Sequence, residues 1–146
     1  MNCIYVSGYI YSIDVVVMVV ESVTAKDWEQ KVSGSDMPVV VNFAAVRCGF
    51  CKMLEPLYRR LSDQYKGKLR FLTLMVDDPA NQELMHHYVA IQGTPTLKFY
   101  CKGREIGEHV GYAIEPTLKK KIDSFLQEME SCLANSTTIP DKENRS

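Results

Sequence analysis

Residues 39–51 read Val39-Val40-Val41-Asn42-Phe43-Ala44-Ala45-Val46-Arg47-Cys48-Gly49-Phe50-Cys51, an apolar run leading directly into a C-x-x-C pair. Between Val39 and Ala45 the only polar side chain is Asn42. Such a run, without alternation, marks a strand buried on both faces, as in the middle of a parallel or mixed sheet. From Gly49 the period changes. Cys51, Leu54, Tyr58, Leu61 and Tyr65 recur at three- and four-residue steps, with Leu57 beside them, so a helix starts between the cysteines. Lys66-Gly67-Lys68 ends it. Pro56 falls inside this helix, removes a backbone donor and predicts a kink. Cys48 therefore stands where a buried strand hands over to a helix.

The rest of the chain supplies the partners of that strand. Val15 to Val20 is β-branched and reads as a first strand. Thr24 and Asp27 stand at capping-box spacing and open a short helix through Trp28 and Val32. Leu69 to Val76 is a third strand. Asp78 caps, and Pro79 opens, a helix carrying Leu84, Met85 and Tyr88. Thr96–Cys101 and Glu105–Val110 form a hairpin across Lys102-Gly103. Pro116 opens a last helix with one apolar stripe, Leu118, Ile122, Phe125, Leu126 and Met129. Beyond it, residues 131–146 are polar and aperiodic and predict a disordered tail. The order β-α-β-α-β-α-β-β-α implies an α/β fold: a central mixed sheet with helices on both faces.

Composition limits the function classes. The chain has 146 residues, enough for one compact domain, here 18–130, and its net charge of −1 gives no reason to invoke nucleic acid or an anionic membrane. Residues 1–17 form an N-terminal extension. No basic residue precedes its apolar run and Asp14 interrupts it, so it reads neither as a signal peptide nor as a membrane span. It is either an extra strand or the product of a start assigned ahead of Met18. Five cysteines, Cys3, Cys48, Cys51, Cys101 and Cys132, are an odd and scattered set. That argues against a secreted disulfide framework and for a reducing compartment, the cytoplasm.

The position of Cys48 gives the pair its chemistry. A sulfur at a helix N-terminus faces unpaired N–H groups and the positive end of the helix dipole, which favour thiolate, and Arg47 acts in the same direction. Cys51 lies one turn later and is more buried. Cys48 is thus the nucleophile on a partner disulfide and Cys51 resolves the mixed disulfide. Gly49 and Phe50 shape the exposed surface between them. Other readings are weaker. Two small buried hydrophobes would not need a strand-to-helix junction. A zinc or iron–sulfur centre needs about four ligands, and one C-x-x-C gives two. His86 and His87 are adjacent on a helix, about 100° apart, and read as solvent-facing. No metal and no cofactor are expected. Cys101 reads as a strand residue and Cys132 as a tail residue.

The stretch from Met18 to about Glu130 resembles thioredoxin. The matching segments are VVVNFAAVRCGFCKMLEP, GKLRFLTLMVDD and VAIQGTPTLKFYCKGREIGEHVGY, about three quarters of the chain at consistent spacing. The resemblance implies the thioredoxin fold and a cis Thr94-Pro95 bond facing the cysteines. It also implies a substrate groove formed by Arg47, Gly49, Phe50, Thr94, Pro95 and Gly111, with the Thr94 backbone pairing to an extended client segment. Pro56 matches the family's helix-kinking proline. Three departures stand out. The family's usual W-C-G-P-C is here R-C-G-F-C; its buried acid is Asn42; its nearby lysine is Thr73. Asn42 cannot take up a proton, though it can orient a water or a thiol. The resemblance implies a protein-disulfide reductase working in electron transport and cell redox homeostasis. It would be a monomer, with disulfide-containing client proteins and a thioredoxin reductase or equivalent donor as partners. Two alternatives stay open: glutaredoxin- or isomerase-like exchange, and a non-catalytic binding module that keeps the groove.

Overall fold

The computed structural model describes residues 20–145, with side chains described through Ala134. The extension 1–17, with Cys3, lies outside the described residues, as does most of the strand expected at Val15 to Val20. The first strand described is β1, Glu21–Ser22. It is followed by β2, Val39–Ala44; β3, Arg70–Met75; β4, Thr96–Cys101; and β5, Arg104–Val110. The helices are α1, Gly49–Gln64; α2, Gln82–His87; and α3, Glu115–Arg145.

These strands form one mixed sheet in the order β1-β3-β2-β4-β5. Strand β3 runs parallel to both β1 and β2, while β4 is antiparallel to β2 and to β5. All six residues of β2 are buried, as its unbroken apolar run requires. Its alternate side chains feed two cores. Val40 joins Leu54, Leu57, Tyr58 and Leu61 of α1, Phe71, Leu97 and Phe99 of the sheet, and Leu118, Ile122 and Met129 of α3. Val39, Val41 and Phe43 join Leu72 and Leu74, together with Val32 and the α2 residue Leu84. Helices therefore cover both faces. Each fully buried side chain of this kind contributes about 1.5–3 kcal/mol. The Tyr58 hydroxyl adds a polar tie, donating to the carbonyls of Val40 (3.1 Å) and Leu72 (2.8 Å) on adjacent strands.

Local signals hold, though the short segments depart from α-helical geometry. Both halves of the Thr24–Asp27 capping box are present, but the segment is a 3-10 turn, Ala25–Asp27, continued by a π turn, Glu29–Ser33. Asp78 caps through Ala80 N–H (2.9 Å), and Pro79 opens a 3-10 turn that leads into α2. At Gly107 the sheet touches α3 so closely that an added Cβ would collide with the Phe125 ring, which stacks on Phe99 at 4.3 Å between centroids.

The largest departure is at the C-terminus. Where the polar composition predicts a disordered tail over 131–146, α3 runs on to Arg145. The start of that segment is held to the core at Cys132. This residue continues the stripe of Ile122 and Met129, is buried, and is joined by a disulfide to Cys101 at the end of β4, with Cα atoms 6.6 Å apart. Cys132 is thus a core residue. Among the described residues, no helix is long and apolar enough to cross a membrane.

Candidate active site

Strand β2 ends at Ala44, and four residues later Cys48 is the N-cap of α1, with extended backbone (φ −142°, ψ 103°). Its sulfur accepts a hydrogen bond from the Cys51 N–H at 3.1 Å. This is the contact that a helix N-terminus offers to an anion: a free donor aimed along the dipole. The two cysteines form a disulfide, with Cα atoms 5.2 Å apart. Cys48 is half-buried, while Cys51 is 7% exposed. The more accessible sulfur is thus the capped one. The loop before it is held by Asp77, whose carboxylate accepts from Val46 N–H at 2.9 Å. Sequence reading missed Asp77. Its only signal is an acid just past the end of the neighbouring parallel strand.

Around the pair, Arg47, Gly49 and Phe50 are exposed, and Phe50 keeps 60% of its surface open to solvent. Thr94-Pro95 is a cis peptide bond. The Pro95 carbonyl accepts from Gly111 N–H at 2.7 Å, which brings two of the expected groove residues together. Gly111 has φ +93°, a left-handed conformation that a side chain would strain. Pro56 sits inside α1, where it leaves the Lys52 carbonyl without its usual intrahelical donor. His86 and His87 are both exposed. No group of three or more His, Cys, Asp or Glu side chains among the described residues is placed to hold a metal ion.

Behind Cys51 lies a cavity of about 410 Å³, lined in part by Cys51, Asn42, Thr73 and Glu55. Asn42 and Thr73 are register partners on β2 and β3, so the positions of the family's acid and lysine are neighbours here too. Asn42 is buried, and its Oδ1 has no hydrogen-bond partner among the described residues. Burial of a polar atom without a partner is costly, roughly 1–3 kcal/mol, unless water reaches it. Sequence reading did not find Glu55. Its signal is the four-residue step from Cys51, which places both on one face of α1.

A strand-to-helix C-x-x-C with a cis proline on a mixed five-stranded sheet defines a thiol-redox fold. The thioredoxin family model matches residues 19–124. The chain is 39% identical over 101 residues to "Thioredoxin M-type, chloroplastic" of Brassica napus, covering 68% of this chain and 55% of that protein. It is 32% identical over 104 residues to "Thioredoxin 1" of Nostoc sp., covering 71% of this chain and 94% of that protein. The match to "Thioredoxin M-type, chloroplastic" of Pisum sativum is 30% identical over 107 residues and spans 60% of that protein. The chain thus spans little more than half the length of these chloroplastic relatives and nearly all of the Nostoc one. It belongs to the thioredoxin family.

Proposed function

We propose that the protein is a thiol–disulfide oxidoreductase that reduces protein disulfides through a reversible Cys48–Cys51 couple. One observation carries this reading: the half-buried Cys48 sulfur caps α1, accepts the Cys51 N–H and is bonded to the Cys51 sulfur. In the reduced protein the same N–H stabilises Cys48 thiolate. Thiolate attacks one sulfur of a client disulfide, and the other client sulfur leaves as thiolate. Cys51 then loses its proton and attacks Cys48. The Cys48–client bond breaks, the second client thiol is released, and the two electrons the client gained are those the cysteine pair lost. An external dithiol donor, a thioredoxin reductase or its equivalent, restores the pair.

Arg47, Gly49, Phe50, Thr94, Pro95 and Gly111 form the client groove in this reading. The exposed Phe50, together with Val46 at 63% exposure, offers apolar contact beside the sulfurs. The protein works as a monomer in a reducing compartment. The cytoplasm is the sequence-based choice, and the chloroplast is the alternative, because several relatives are named as chloroplastic. Arg47 and Phe50 in place of the family's usual residues favour a second reading, isomerase-like exchange.

Insulin reduction by the dithiothreitol-regenerated protein tests the proposal. Turnover that disappears in Cys48→Ser is expected. No turnover in the parent chain, with client binding retained, would leave only a binding module. Faster reshuffling of a scrambled disulfide protein than net reduction would favour the isomerase reading.

A further inference from the structure

Resolution of the mixed disulfide requires Cys51, which is buried, to lose a proton. The cavity behind it is the route the structure offers. At about 410 Å³ it has room for several waters, and Asn42 Oδ1 supplies a buried acceptor to hold one. Asn42 orients a water but takes no proton itself. Among the described residues two carboxylates line the same cavity, Glu21 and Glu55. Glu21 is engaged by Arg70 at 2.8 Å and Lys31 at 3.8 Å, and stands on β1 with β3 between it and the strand that carries Asn42. Glu55 is one helical turn beyond Cys51 on α1, on the same face, where such side chains are neighbours. Among the described residues its one ion pair is to Arg59, at 3.2 Å, with both side chains more than 60% exposed, so it opens to bulk solvent.

We infer that Glu55 is the proton acceptor for Cys51, acting through water held in the cavity by Asn42. The inference rests on the oxidoreductase reading above. The Cys51 proton passes by way of water to the Glu55 carboxylate. The electron pair left on Cys51 Sγ forms the bond to Cys48 Sγ. The Cys48–client bond breaks, its electron pair leaves with the client thiolate, and that thiolate is protonated by solvent. Glu55 then returns its proton to solvent at the cavity mouth. No oxidant beyond the client disulfide is needed.

The test uses the full reduced chain in single turnover with a symmetrical aromatic disulfide that releases a coloured thiolate. The first release reports attack by Cys48, and the second reports attack by Cys51. Glu55→Gln is expected to leave the first release unchanged and to slow the second by about tenfold or more near neutral pH. The two rates should converge at high pH, where hydroxide removes the thiol proton directly. Glu55→Asp should keep part of the rate, and Asn42→Asp placed in the Glu55→Gln chain should restore it. A second release that keeps its parent rate in Glu55→Gln, or that slows equally at every pH, overturns the assignment of Glu55. Absence of the first release from the parent chain would instead overturn the oxidoreductase reading beneath it.

Discussion

Two disulfides among the described residues lie at opposite ends of the central strands, and they are built for different work. Cys48–Cys51 follows the C-terminal end of β2, spans three residues, and keeps one sulfur half-open at a helix N-cap. Cys101–Cys132 lies at the far end, where β4 passes beyond Val39, and spans 31 residues. Both of its cysteines are buried in the core, Cys101 on β4 and Cys132 on the facing side of α3. A short loop closed in the open stabilises little and exchanges readily. A long loop closed in the interior restricts the unfolded chain and is shielded from attacking thiolates. In the proposed reading the same bond is a reaction centre in one place and a staple in the other, and what differs is exposure and loop length.

Separate removal of the two pairs should break this comparison cleanly. Cys48→Ser is expected to lower insulin reduction about a thousandfold or more while leaving the unfolding midpoint nearly unchanged. The double replacement Cys101→Ala with Cys132→Ala should do the reverse. A loss of about 2–4 kcal/mol is expected from denaturant titration, with insulin reduction kept within about twofold. If the second pair instead controls turnover, the division of labour proposed here is wrong.

Smaller effects sharpen the contrast. Gly107→Ala drives a methyl into the Phe125 ring above β5 and should destabilise by roughly 1–3 kcal/mol in thermal or chemical unfolding, at the stapled side of the fold. Asn42→Asp puts a group that takes up protons into the cavity behind Cys51. It should raise the rate of model-disulfide reduction near neutrality by about a few-fold, and an unchanged rate would show that deprotonation of Cys51 does not limit turnover.

His109 gives the smallest effect. Burial, with Lys121 nearby, lowers its pKa below the ordinary histidine value, and its Nε2 is buried without a partner among the described residues. A group whose folded-state value is depressed binds its proton first in the unfolded chain. Stability is therefore full above about pH 6.5 and falls as the pH drops towards the lowered value. After solvent screening the loss should be small, and His109→Gln should flatten it in urea titrations across that range.

Much of the catalytic end was legible in the chain. The run Val39–Ala45 reads as a buried strand because no polar alternation interrupts it, and the three- and four-residue steps after Gly49 fix the helix that makes Cys48 a cap. Asp78 and Thr24 are legible because capping is local chemistry between residues close in sequence. The far end was not legible. Ser131 to Ser146 is mostly polar in composition, and the apolar pair Cys132-Leu133 carries no weight until Cys101 is known to lie opposite it. Glu55 was hidden for the same reason. Its spacing from Cys51 is plain, but the cavity they share also needs Asn42 from β2 and Thr73 from β3.

By itself, then, the sequence determined the order of strands and helices, the helix-capped cysteine pair, and the departures at Asn42 and Thr73, because each rests on periodicity or on neighbours within a turn. Only the tertiary structure decided which cysteines beyond that pair meet, how far the last helix extends, and which carboxylates share a cavity with Cys51. Those depend on contacts between residues tens of positions apart, and they exist only once the sheet has brought its strands into register.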